Sequence, residues 1–166
     1  MDTSFERKDQ KDEWLTPPHI LKALGDFDLD PCSPIEPPWK IADKFFTIND
    51  DGLSKDWSGR VFCNPPYGNQ TKLWLDKCSQ HKNCIALVFT RTETKMFFDS
   101  VWSKADALFF IKGRLSFHNV LGEKGGSAGA PSVLVAYGEN NVKTLKNLNL
   151  CGCFVDLRQS KINSKE

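Results

Sequence analysis

The sequence has no apolar run close to the ~20 residues that a membrane-spanning helix needs. Its opening stretch, Met1-Asp2-Thr3-Ser4-Phe5-Glu6-Arg7-Lys8, lacks the apolar core of a signal peptide, so a cytoplasmic protein is expected. Charge of one sign is also lacking. The formal net charge is +1, which excludes a chain that coats nucleic acid by bulk attraction but leaves room for a local basic face. The six cysteines contain no C-x-x-C pair, and the nearest approach to one is Cys151-Gly152-Cys153. The three histidines form no HExxH-like pattern. No metal site is therefore expected, and the thiols are expected to be reduced and packed as small hydrophobes. No GxxxxGK[ST] segment is present, so a nucleotide phosphate loop is not expected. There is no internal repeat and no composition break that would separate a second domain.

What is present suits one α/β domain. A chain of 166 residues with 40% hydrophobic content can bury a core of its own. The central stretch is Asn64-Pro65-Pro66-Tyr67, set directly after the apolar Val61-Phe62-Cys63. Two consecutive prolines have no N–H and a fixed φ, so they stop a strand and make a stiff extended corner. In open α/β sheets ligands bind at the carboxyl ends of strands. This corner offers an amide, proline carbonyls without competing donors, and an aromatic ring.

The remaining pattern alternates strands and helices. Thr16 before Pro17 is expected to cap a helix carrying Ile20, Leu21 and Leu24, with Gly25 at its end. Residues 26–30 read as a short strand that sets the Asp30 carboxylate at its edge, where it can hold an ammonium or ribose hydroxyls. Residues 33–41 are too rich in proline for regular structure. Strands are expected near 43–48, 61–63, 83–90, 105–111, 131–137 and 153–157, and helices near 71–80, 95–102 and 142–150. Residues 119–130 read as a glycine-rich loop. Residues 1–12 are expected to be flexible, 13–158 to be one domain, and 159–166 to be a polar tail. The apolar runs at 84–89 and 107–111 predict a mostly parallel sheet flanked by helices.

The motifs fall in a definite order: Glu13-Trp14-Leu15-Thr16-Pro17, Asp28-Leu29-Asp30-Pro31-Cys32, Asp51-Gly52-Leu53-Ser54-Lys55-Asp56-Trp57-Ser58-Gly59, Asn64 to Gly68, Arg91-Thr92-Glu93-Thr94, and Gly113-Arg114-Leu115-Ser116-Phe117. This set resembles the small phage and prophage DNA N6-adenine methyltransferases over roughly residues 13–137. The resemblance implies a trimmed Rossmann-like class I methyltransferase fold, S-adenosylmethionine as cofactor, and double-stranded DNA as partner in a bacterial host. It leaves monomer and weak dimer both open.

The same resemblance implies roles. Asn64, Pro65, Pro66 and Tyr67 would form the catalytic corner. The Asn64 side-chain oxygen and the Pro65 carbonyl would accept both hydrogens of the target amine, and Tyr67 would stack on a base flipped out of the duplex. Thr16, Pro17, Asp30, Pro31, Cys32 and Asp51 would bind the cofactor, although Pro31-Cys32-Ser33-Pro34 stands where the usual cofactor motif has glycines. Arg91 and Arg114 end apolar strands and are candidates for DNA phosphates. Phe117 is a candidate for the second face of the base. Rival substrates of the same chemistry are cytosine N4, an RNA base and a protein glutamine. A non-catalytic phage DNA-binding protein is the other alternative.

Overall fold

A computed structural model describes residues 14–160 and 162–163. The expected flexible segment 1–12, together with Glu13 and part of the 159–166 tail, lies outside the described residues.

The longest apolar runs take the middle of the sheet. β4 (Cys84–Phe89) and β8 (Ser132–Tyr137) pair over their whole length, and apolar character on nearly every residue fits burial on both faces. Around them lie β1 (Leu29–Asp30), β2 (Lys44–Phe45), β3 (Val61–Cys63), β5 (Ala107–Ile111) and β9 (Gly152–Asp156). The seven-stranded order is β2-β1-β3-β4-β8-β5-β9. β1, β2, β3 and β4 run parallel, and β8 is antiparallel to both β4 and β5. β5 therefore points the same way as β4, while β9 is reversed against it. The sheet is mixed, with most strands pointing one way.

Helices cover both faces. α1 (Pro18–Leu24) and α4 (Glu139–Lys146) bury Ile20, Leu24, Val142 and Leu145 against Phe62, Ile85, Leu87 and Leu134. α2 (Thr71–His81) and α3 (Lys95–Phe97) bury Trp74, Leu75, Cys78 and Phe97 against Val61, Cys63, Ala86 and Val135. α3 continues as a π-helical turn, Phe98–Trp102. Among the described residues no helix is long and apolar enough to cross a membrane.

Three local expectations differ from the structure. Thr16 does not cap α1. The N-cap is Pro17, and the Thr16 hydroxyl is occupied instead by the Asn64 amide, 3.3 Å away. Residues 119–130 are not a bare loop. β6 (Ser116–His118) and β7 (Lys124–Ser127) form an antiparallel hairpin, and a Cβ on Gly125 would sit 3.1 Å from the Trp14 ring. Close packing against that ring accounts for a glycine there. Helix α4 starts at Glu139, earlier than expected, because Gly138 (φ 98) makes the turn beside the Lys82 carbonyl, where a Cβ would clash at 2.0 Å.

Candidate active site

Parallel β1, β3 and β4 bring their carboxyl ends to one edge, so Asp30, Asn64 and Phe89 come together from distant parts of the chain. A cavity of about 360 Å³ opens there, within the usual range for small-molecule sites. Thr16, Asp30, Pro31, Cys32, Asp51, Asn64, Pro65, Pro66 and Tyr67 all line it.

The corner after β3 is braced from several sides. The Thr71 hydroxyl at the start of α2 donates to the Pro66 carbonyl at 2.7 Å. The Cys32 thiol donates to the Asn64 carbonyl at 3.2 Å. The Asn64 Nδ2 donates to the Trp14 carbonyl at 2.9 Å. A backbone carbonyl can only accept, so this contact fixes the amide's orientation. It leaves the Asn64 Oδ1 buried without a hydrogen-bond partner among the described residues. No hydrogen bond within the described residues reaches the Pro65 carbonyl. Two unused acceptors therefore belong to consecutive residues of one corner. Buried acceptors in a folded protein are nearly always satisfied, which marks Asn64 Oδ1 as poised for an external donor.

The Tyr67 ring lies on the Phe89 ring, with centroids 4.2 Å apart and planes 7° from parallel. Its hydroxyl is buried without a partner among the described residues, and burial pushes its pKa up. Phe117 is buried and meets Phe89 edge-on at 6.4 Å. Phe117 does not line the cavity, and its ring partner is Phe89, to which the sequence pattern assigns no role.

Asp30 is the other unusual group. It is 4% exposed. Desolvation pushes its pKa to about 7, and the Cys32 amide, 3.2 Å from Oδ1, offsets part of that rise. The folded state therefore holds this proton more tightly than the unfolded chain does. Its stabilising contribution is full below about pH 4 and is lost as pH rises through about 7. Asp30→Asn is expected to remove that loss, so the variant should melt at a higher temperature than the parent at pH 8 and differ little at pH 4. Calorimetric melting at both values checks it. A variant less stable at pH 8 would contradict the assignment.

Of the acidic pair at 50–51, Asp50 is tied to the Thr47 amide (2.8 Å) and hydroxyl (3.0 Å). Asp51 holds the left-handed φ of 53 and lines the cavity. Gly52 beside it packs so closely that a Cβ would lie 2.1 Å from the Pro31 carbonyl oxygen.

Residues 3–148 match the family described as DNA N-6-adenine-methyltransferase (Dam). The chain belongs to the Dam family. That places it among methyltransferases of the DNA N6-adenine type, a class of transferases. Neither the curated proteins nor the solved structures contain a significant match.

Not every residue expected at the Dam site lines the cavity. Pro17 lines a second hollow instead. Arg114 also lines that second hollow, with Nη1 3.5 Å from the Ala128 carbonyl. Arg91 is exposed past the end of β4 and lines neither. Other cavity residues carried no expected role: Trp74, whose indole nitrogen is buried without a partner among the described residues, and Gln70, Ile48 and Leu53. Trp74 was legible only as the apolar face of a helix. The contribution of Trp14 is a backbone carbonyl, which no side-chain pattern announces.

Proposed function

We propose that this Dam-family chain transfers a methyl group from S-adenosylmethionine to the N6 amine of an adenine flipped out of duplex DNA. The observation that carries the reading is the buried, unpartnered Asn64 Oδ1, with the free carbonyl of the next residue, Pro65, as the second acceptor. An exocyclic N6 amine brings two N–H donors, matching two acceptors. Holding both hydrogens fixes the amine and favours the tetrahedral nitrogen needed for attack. No strong base is needed beforehand, because the methylated nitrogen becomes acidic and sheds its proton afterwards. Tyr67, backed by Phe89, offers its remaining face to the adenine ring. The adenine must leave the stack to reach this corner. Asn64 Oδ1 is covered in the structure, so base entry has to uncover it.

The cavity fits the cofactor on three counts: its volume, two carboxylates at different depths, and a Gly52 approach to Pro31 that a side chain would fill. When bound, S-adenosylmethionine supplies an electrophilic sulfonium methyl. Asp51 and Asp30 would accept from the cofactor's amine and hydroxyls, and Thr16, Pro31 and Cys32 would shape the walls. Ionised Asp30 is the form that accepts, so binding draws its proton off. Asp30→Asn is therefore expected to weaken cofactor affinity at pH 8 while it raises the melting temperature. Pro17 would act by fixing the start of α1, and Phe117 by supporting Phe89. Arg91 and Arg114 remain our candidates for DNA phosphates. The strand order, with β8 inserted in reverse between β4 and β5, supports the trimmed Rossmann-like class I reading, and one domain over 13–158 accords with the continuous sheet. The enzyme would act in the cytoplasm of a bacterial host, as a phage or prophage protein.

Expression in a bacterial host lacking adenine methylation tests this reading. Sequencing is expected to show N6-methyladenine at a defined motif. Unmodified adenine with label on cytosine, RNA or protein would contradict it.

A further inference from the structure

The cavity and the second hollow meet consecutive residues of one segment: Thr16 lines the cavity and Pro17 lines the hollow. Leu15 pairs with His118 through two backbone hydrogen bonds of 2.8 and 3.0 Å, which ties the β6–β7 hairpin to this segment. Trp14, one residue earlier, holds the Asn64 amide. The hollow and the amine-accepting corner are thus fastened to the same short strand.

The hollow's lining is basic. Lys112 and Arg114 follow the carboxyl end of β5, and Lys124 comes from the hairpin, with His19 and His118 beside them. No aspartate or glutamate lines it among the described residues. The ion pairs elsewhere engage Lys40, Lys72, Lys95, Lys104, Lys143 and Arg158. Among the described residues Lys112, Arg114 and Lys124 enter none of them, and all three are exposed. Three uncompensated cations on one concave face, in a chain of net charge +1, concentrate the positive field where the bulk charge supplies none.

We propose that this hollow grips backbone phosphates of duplex DNA beside the flipped nucleotide, through Lys112, Arg114 and Lys124. The proposal rests on the DNA-methyltransferase reading and extends it to the surface that receives the substrate. Phosphate contacts set position and orientation without reading sequence. Here they would hold the duplex on the sheet edge that also carries Asn64, because β5 ends on the same edge as β3 and β4.

The test is DNA affinity by fluorescence anisotropy over a salt series, with a labelled duplex and purified full-length protein. The triple variant Lys112→Ala, Arg114→Ala, Lys124→Ala is expected to bind roughly tenfold or more weakly. Its salt slope should fall by about 0.9 for each phosphate that is no longer neutralised. A charge-matched control, Lys55→Ala, Lys143→Ala, Lys146→Ala, removes lysines outside the hollow and should change affinity little. Unchanged affinity and slope in the first variant, or an equal loss in the control, would overturn the proposal. Calorimetric binding of S-adenosylmethionine by the triple variant at the parent's affinity shows that the fold and cavity are intact. Failure of the underlying reading looks different: the parent protein itself would then neither bind nor methylate DNA.

Discussion

Asn64→Ala is expected to reduce methyl transfer to DNA by roughly a hundred- to a thousandfold, the usual cost of removing one preorganised polar group from a reacting centre. The mechanism is loss of one of the two acceptors that hold the N6 hydrogens. The amide also donates to the Trp14 carbonyl and the Thr16 hydroxyl, so the variant should lose about 1–2 kcal/mol of stability as well. S-adenosylmethionine affinity should stay close to the parent's, because the Asp30 and Asp51 carboxylates are untouched. Asn64→Asp separates the two jobs of the amide. It keeps an acceptor but sets a carboxylate oxygen against the Trp14 carbonyl, so activity should fall between parent and Ala variant. Single-turnover rates and calorimetric cofactor binding check both. Equal loss of turnover and cofactor affinity in Asn64→Ala would assign the residue a structural role instead.

Gly52→Ala is expected to weaken cofactor binding about tenfold or more, equivalent to at least about 1.4 kcal/mol. The added Cβ would lie 2.1 Å from the Pro31 oxygen and 3.2 Å from the Trp74 ring. The first contact is to backbone, so no rotamer relieves it, and the loop carrying Asp51 must move away from Pro31. Both sides of that contact line the cavity. Overpacking of this kind also costs about 1–3 kcal/mol of stability. Gly126→Ala, where a Cβ meets nothing within 4 Å, serves as the neutral comparison. Calorimetry and thermal melting on the two variants decide the point. A Gly52→Ala protein that binds the cofactor like the parent would show that the loop at 51–53 is not a cofactor wall.

These effects trace back to what the sequence could and could not display. The corner at 64–67 was visible because two prolines constrain backbone geometry wherever they occur. β4 and β8 were visible because burial on both faces demands an uninterrupted apolar run. Asp50 and Asp51 are adjacent carboxylates in the sequence. The structure separates them by committing Asp50 to Thr47. Contacts between distant segments left no local trace. The Trp14 carbonyl that orients Asn64 lies 50 residues away along the chain. Thr16 carries a good capping side chain, but tertiary bonding to Asn64 outcompeted the helix terminus. The hairpin at β6–β7 was hidden because glycines that read as a loop instead allow close packing against Trp14. Pro17 and Arg114 were grouped with the active face by motif order, whereas both line the second hollow and neither lines the cavity.

The chemical fate of the methyl group bears most directly on the proposed reaction. Purified protein is incubated with duplex DNA and S-adenosylmethionine carrying an isotopic methyl label, and the DNA is digested to nucleosides for mass spectrometry. The expected result is label on N6-methyldeoxyadenosine, strongly reduced in Asn64→Ala. Label on N4-methyldeoxycytidine alone, or no label in DNA from a protein that binds the cofactor, would contradict the proposed chemistry.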